Sequence, residues 1–266
     1  MKVEVNGINI DCRDEGEGLP VILIHAFPLN QTMWDDQMAA LRKVCRAITL
    51  DLRGFGRSGF ADSPHSIEQM ASDVRGLMKA LGIDRAVLVG LSMGGYISFA
   101  FYRNYPECVR ALVLADTRAT SDTAEARDRR IKSAEKAERE GSAAIADDVV
   151  PMLLGRSTLS TRSDLIERTR ELIEANSPVG IAAAQRAMAS RRDSTDLLAA
   201  MNIPVLVIVG SEDSLTPPAE AEMMNRAIRG SRLRVIEGAG HLSNLEQPRQ
   251  FDAAVSEFIQ SLEARR

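Results

Sequence analysis

The chain is poor in the residues from which several kinds of site are built. Its 266 residues hold three histidines, three cysteines and one tryptophan, and aromatics make up 4% of the composition. Cys12, Cys45 and Cys108 are scattered without metal-ligand or C-x-x-C spacing, and their odd number argues against a disulfide framework. They read as reduced packing residues, and no metal site is expected. Charge of one sign is also lacking: 33 Lys and Arg face 37 Asp and Glu, a formal net charge of −4, with no unbalanced basic cluster. That excludes the electrostatic footprint of nucleic-acid or anionic-membrane binding. No apolar run reaches the roughly 18 residues of a membrane-spanning helix, and the N-terminus has no signal-peptide core, so a soluble, cytoplasmic protein is expected.

What is present is enough hydrophobic residue, 45%, for one large core. Met1 to Ile8 reads as a hairpin around an Asn6-Gly7 turn. Strand-like apolar runs near 21–25, 44–50, 86–90, 111–116, 205–210 and 233–236 alternate with helical patterns, which predicts an α/β fold: a mostly parallel sheet flanked by helices. One helix is predicted with Ser66 as its cap, Gln69 reaching back, a buried stripe through Ile67, Met70, Val74, Leu77, Met78 and Leu81, and Gly82 as its stop. The last helix repeats the pattern with Phe251, Val255, Phe258, Ile259 and Leu262. Trp34 reads as core packing of the first helix.

Alternation fails between 117 and 200, where helical segments follow one another without a convincing strand. The predicted organisation is therefore a core of residues 1–116 and 201–266 with an inserted helical cap, 117–200. From Ser121 to Glu140 this insertion carries six basic and six acidic residues, with Glu125/Arg129, Asp128/Lys132 and Glu135/Arg139 at helical spacing, the pattern of a solvated helix face.

The chemistry is concentrated in Gly90-Leu91-Ser92-Met93-Gly94-Gly95, which follows the apolar run Ala86 to Val89 and opens a segment with Met93, Tyr96, Ile97, Ala100 and Phe101 at helical spacing. Strand, sharp turn, helix is the geometry of a nucleophile elbow, in which the turn lifts a serine hydroxyl off the sheet edge and glycines remove colliding side chains. A serine hydroxyl needs a base, and the choice is among three histidines. His241 lies on a loop after the strand near 233–236, at the sheet end where open α/β sheets bind ligands. His65 reads as an exposed loop residue before a helix, and His25 as an organiser of the loop after its strand. The base needs a carboxylate to fix its tautomer. Asp213, beyond the run 205–210, is the first candidate; Asp116, after the run 111–116, is its rival, and Glu212 is weaker because neighbouring residues point apart.

In these residues the chain resembles the α/β-hydrolase superfamily over nearly all its length outside the insertion. Ser92, Asp213 and His241 run in that family's order; His25-Ala26-Phe27-Pro28 is similar to its H-G-x-P loop, Asp51 to Gly59 to its D-x-R-G-x-G-x-S turn, and Gly238 to His241 to its histidine loop. The resemblance implies an oxyanion hole made by the backbone N–H groups of Phe27 and Met93. Ala26 stands where glycine is usual, so a positive φ there would be strained.

The resemblance further implies a serine hydrolase acting through an acyl-enzyme on a small-molecule ester or lactone, with no cofactor. The insertion contains no Phe, Tyr or Trp. What it offers a pocket is aliphatic or polar, with Leu153 and Met188 as candidate substrate contacts beside Phe27, and small or aliphatic acyl groups are expected. The segments around Ser92 and His241 look similar to those of 3-oxoadipate enol-lactonases, and the His25 loop suits small carboxylesterases and cofactor-free perhydrolases equally. Carboxylesterase is the leading reading and enol-lactone hydrolase the alternative. The same fold also serves ligand receptors and cofactor-free oxygenases. Oligomeric state is not legible.

Overall fold

In the computed structural model, which describes residues 1–61 and 65–264, Asn6 (φ 49°) and Gly7 (φ 78°) turn strand β1 (Lys2–Val5) back onto β2 (Ile8–Glu15). Two consecutive positive-φ residues match the right-handed twist of a hairpin, which is why Asn-Gly serves here. Then come β3 (Pro20–Ile24), α1 (Asp35–Leu41), β4 (Arg46–Leu50), α2 (Ile67–Ala80), β5 (Ala86–Leu91), α3 (Met93–Asn104) and β6 (Val109–Ala115). Five helices follow: α4 (Ala124–Leu153), α5 (Arg156–Thr161), α6 (Ser163–Glu174), α7 (Pro178–Ala189) and α8 (Thr195–Leu198). The chain closes with β7 (Val205–Gly210), α9 (Pro218–Ala227), β8 (Arg232–Ile236), α10 (Ser243–Glu246) and α11 (Pro248–Glu263).

Among the described residues the strands form one sheet in the order β1-β2-β4-β3-β5-β6-β7-β8, parallel from β4 to β8 and antiparallel through the hairpin. Alternate side chains of each central strand feed opposite faces. Ile22, Ile24, Leu88, Leu112 and Leu114 join α2, α3 and α7 in one core; Val21, Leu23, Val87, Val89 and Val113 join α1 and α11 in the other. Burial on both faces explains why β5 and β7 read as unbroken apolar runs. The five apolar residues expected in the last helix are all buried on α11, each stabilising by about 1.5–3 kcal/mol. Trp34 is buried against Phe251. The three cysteines are free and buried, and burial pushes the thiols of Cys12 and Cys45 up to about 11 and about 12.

Ser66 caps α2 by accepting from the Gln69 N–H at 3.0 Å. The reciprocal half of the expected capping box does not form: the Gln69 amide donates to Asp73 Oδ1 at 3.2 Å, because Asp73 is already fixed one turn along. Arg53 grips Asp73 through two bonds of 2.5 and 2.8 Å, both side chains being 1% exposed, and Asn6 donates to Asp73 Oδ1 at 2.8 Å. Hairpin, Arg53 loop and α2 are thereby joined at one buried pair.

α4 presents the solvated face expected of its first half, where most of the charged side chains are exposed. It bends at Gly141 (φ 87°), buries Ala134 and Ala137, and packs along α7. None of the three anticipated charge pairs forms an ion pair among the described residues. The ion pairs α4 does make include Arg130 with Asp122, Lys136 with Asp148 across the bend, and Glu138 with Arg186 of α7.

Candidate active site

Ser92 sits between β5 and α3 with φ 54° and ψ −111°, a conformation rare for a residue with a side chain. The bend is tight enough to dictate its glycines. A Cβ on Gly90 would lie 2.3 Å from the Gly94 carbonyl oxygen, and one on Gly94 would lie 2.2 Å from that of Ile24. The second contact also presses the start of α3 against the end of β3, bringing Met93 towards the loop that holds Phe27. Met93 is the first residue of α3, so no helical carbonyl takes its N–H. Thr117 Oγ1 donates to the Ser92 carbonyl at 2.8 Å and holds the elbow from the side of β6.

The structure brings Ser92, His241 and Asp213 into one hydrogen-bonded line. His241 Nε2 lies 2.8 Å from Ser92 Oγ, and His241 Nδ1 lies 2.9 Å from Asp213 Oδ2. Asp213 is held in turn: its Oδ1 accepts from the N–H groups of Leu215 and Thr216 at 2.9 and 3.0 Å, and its Oδ2 from Thr216 Oγ1 at 2.6 Å. Burial works against charge on both partners, but each offsets it for the other. The Asp213 carboxylate raises His241 above the ordinary imidazole range, and His241 with Thr216 holds Asp213 below the ordinary carboxylate range. Sequence reasoning passed over Thr216, although Asp followed three residues later by Thr is the spacing of such a turn.

The rival carboxylates are engaged elsewhere. Asp116 (φ 45°) is buried with Oδ1 on the Gly210 N–H at 2.8 Å and Oδ2 on the Ser243 hydroxyl at 2.5 Å. Burial, then the charge of Asp213, raises its pKa well above the usual range. Glu212 points away from His241, accepting from the Ser157 N–H at 2.9 Å. His25 is buried and neutralised by burial; its ring bridges the Ala26 carbonyl (2.9 Å) and the Leu52 N–H (3.0 Å), fixing the loop after β3. Ala26 is not among the positive-φ residues, so alanine fits there without backbone strain. His65 is half-buried and stacked on Phe60 at 4.4 Å, unlike the exposed residue expected; Asp62, Ser63 and Pro64 before it lie outside the described residues.

Two further ties were invisible in the sequence. Glu246 Oε1 accepts from the Gly240 N–H and Oε2 from the Gly155 N–H, both at 2.8 Å, while the Leu153 carbonyl accepts from the N–H groups of His241 and Leu242. A Cβ on Gly240 would lie 2.2 Å from Gly155 N, so the histidine loop and the junction of α4 and α5 touch backbone to backbone.

A cleft of about 670 Å³ opens over Ser92 and His241. Phe27, Leu153 and Met188 all border it, with Val149, Met152 and Leu215. Ile145, Val150, Leu154 and Ile181, equally available by composition, are spent in the core. Among the described residues no cluster of His, Cys, Asp or Glu could hold a metal ion, and no helix is long and apolar enough to cross a membrane.

Comparison with known proteins agrees with this architecture. An esterase from Thermogutta terrifontis, solved with malate bound, superposes with a TM-score of 0.96 at 43% identity, over 98% of this chain and 99% of that one. The enol-lactonase of Burkholderia xenovorans gives a TM-score of 0.90 at 31% identity, over 98% and 100%. 3-Oxoadipate enol-lactonase 2 of Acinetobacter baylyi is 30% identical across 88% of this chain and 86% of its own. The family model for the alpha/beta hydrolase fold matches residues 20–248, and the chain belongs to that family.

Proposed function

We propose that this carboxylic ester hydrolase cleaves esters of small or aliphatic acyl groups by two-step acyl transfer. His241 takes the Ser92 proton through Nε2, Ser92 Oγ attacks the ester carbonyl, and the tetrahedral oxyanion is received by the N–H groups of Phe27 and Met93. Collapse expels the alcohol, protonated by His241. Water deprotonated by the same imidazole then attacks the acyl-enzyme and frees the acid and Ser92. Asp213 keeps the proton on Nδ1 and balances the imidazolium in both halves. The observation that carries this reading is the unbroken line Ser92–His241–Asp213, with bonds of 2.8 and 2.9 Å.

In the same proposal residues 117–200 act as a cap over the core 1–116 and 201–266, and Phe27, Leu153 and Met188 contact the acyl chain. The aliphatic lining favours acyl groups that need no aromatic stacking partner. Enol-lactone opening is the second reading, favoured by relatives carrying that name, and uses the same steps with the alcohol tethered to the acid. The test is kcat/KM for p-nitrophenyl esters from acetate to decanoate beside 3-oxoadipate enol-lactone, with Ser92→Ala as the blank. A short-chain optimum with weak lactone turnover supports the carboxylesterase; a large lactone preference supports the alternative. Substantial turnover by Ser92→Ala refutes the acyl-enzyme.

A further inference from the structure

The cleft over Ser92 is lined by a surplus of cations, all from residues 118–136, although the protein as a whole is acidic. Arg118, Arg129, Arg130, Lys132 and Lys136 border it, against the carboxylates of Asp122 and Asp148. Nor are these charges mutually satisfied. Arg118, Arg130 and Arg191 all converge on the single carboxylate of Asp122, at 2.7, 2.5 and 2.7 Å, so three guanidiniums share one buried anion. Lys136 is matched by Asp148 at 2.6 Å. Arg129 and Lys132, on adjoining turns of α4, make no ion pair among the described residues, yet face the same space.

A concave site that keeps a surplus of one charge beside an apolar wall focuses the field on whatever enters it. The reacting end, formed by Ser92, His241, Phe27 and Leu215, supplies no anion to balance that surplus, since Asp213 is committed to His241 and buried. From this we infer that the substrate carries a second, ionised carboxylate besides its scissile ester or lactone bond, and that Arg129 and Lys132 provide its counter-charge. The inference rests on the ester-hydrolysis reading above and narrows its substrate class to half-esters and carboxylate-bearing lactones.

The test pairs substrates of equal shape and different charge. On the acyl side, p-nitrophenyl hydrogen adipate is compared with p-nitrophenyl 6-methylheptanoate; on the alcohol side, 4-carboxyphenyl butyrate with 4-carbamoylphenyl butyrate. Two exposed cations acting on one carboxylate are expected to favour the anionic member of at least one pair by roughly tenfold in kcat/KM, chiefly through KM. Because the cations are exposed, that preference is expected to shrink severalfold between about 20 mM and about 500 mM salt, as the screening length falls. In Arg129→Gln/Lys132→Gln the ratio is expected to approach one, and circular dichroism checks that the variant is folded. A preference for the neutral member in both pairs, or an anionic preference indifferent to salt and to the double variant, overturns the inference while leaving ester hydrolysis standing. No Ser92-dependent turnover of any member overturns both.

Discussion

Asp213→Asn separates the two carboxylates that border the histidine. Oδ1 of Asp213 accepts from two backbone N–H groups, so the asparagine oxygen takes that place and its NH₂ falls where Oδ2 now faces His241 Nδ1. Two donors cannot face each other, so the ring is expected to shift its proton to Nε2, where it can no longer accept one from Ser92. The charge lost is substantial: at 2.9 Å and an effective dielectric constant of about 20, carboxylate and imidazolium attract by about 6 kcal/mol. At about 1.4 kcal/mol per decade that is a loss of roughly 10⁴ in kcat/KM. The assay is kcat/KM on a p-nitrophenyl ester from about pH 5 to pH 9, with the melting temperature as a check on folding. The proposed mechanism needs neutral His241, and Asp213 raises its pKa, so the wild-type acid limb is expected above the ordinary imidazole value of 6.5, with activity rising as pH passes through it. Asp116→Asn, run beside it, is expected to stay within about tenfold of wild type, because Asp116 bonds Gly210 and Ser243 rather than the imidazole. Retention of more than about a tenth of kcat/KM in Asp213→Asn, or an equal loss in Asp116→Asn, would refute the assignment.

Gly240→Ala drives a methyl group into the Gly155 backbone, which cannot rotate away, so a stability loss of about 1–3 kcal/mol is expected. Displacement of the adjacent His241 is expected to lower kcat about a hundredfold, read from kcat and melting temperature together. Arg53→Met strands the Asp73 carboxylate in the core with only the Asn6 and Gln69 amides, at a cost of about 3 kcal/mol. That corresponds to a melting temperature roughly 6–12 °C lower, and an unchanged one would show that the pair contributes nothing net.

The parts legible in the sequence are those where one physical requirement selects few residues. A sheet buried on both faces demands unbroken apolar runs, so the central strands β3 and β5 to β7 stand out, whereas β8 at the sheet edge has two exposed arginines and buries only Ile236. β2 is harder: as the hairpin strand that pairs β4 it runs on to Glu15 through Arg13 and Asp14, whose polar side chains hide it from an apolar-run reading. With three histidines in the chain, the partner of Ser92 is close to forced. The acid is not, since Asp116 and Asp213 both end strands, and their division of labour depends on the turn that aims Asp213 through Thr216. The cationic wall was illegible for a related reason. Charges at helical spacing look identical on a solvated face and on a cleft wall, and the bend at Gly141 with the packing on α7 decides which face is which.

The two carboxylates that reach across to the insertion, Glu212 on Ser157 and Glu246 on Gly155, bear on how such proteins can be recombined. Swapping the helical segment for that of a relative, cut at the ends of β6 and β7, would leave both carboxylates in the recipient, and a segment that places proline or a shifted backbone at positions 155 and 157 would withdraw the N–H groups they accept from. Glu246 would then keep the Gly240 N–H on Oε1 but leave Oε2 buried without its Gly155 donor, disturbing the loop that carries His241. The transferable module is therefore discontinuous: the segment through Ser157 travels with residues 212 and 246, and chimaeras that ignore that linkage are expected to fail in turnover rather than in binding.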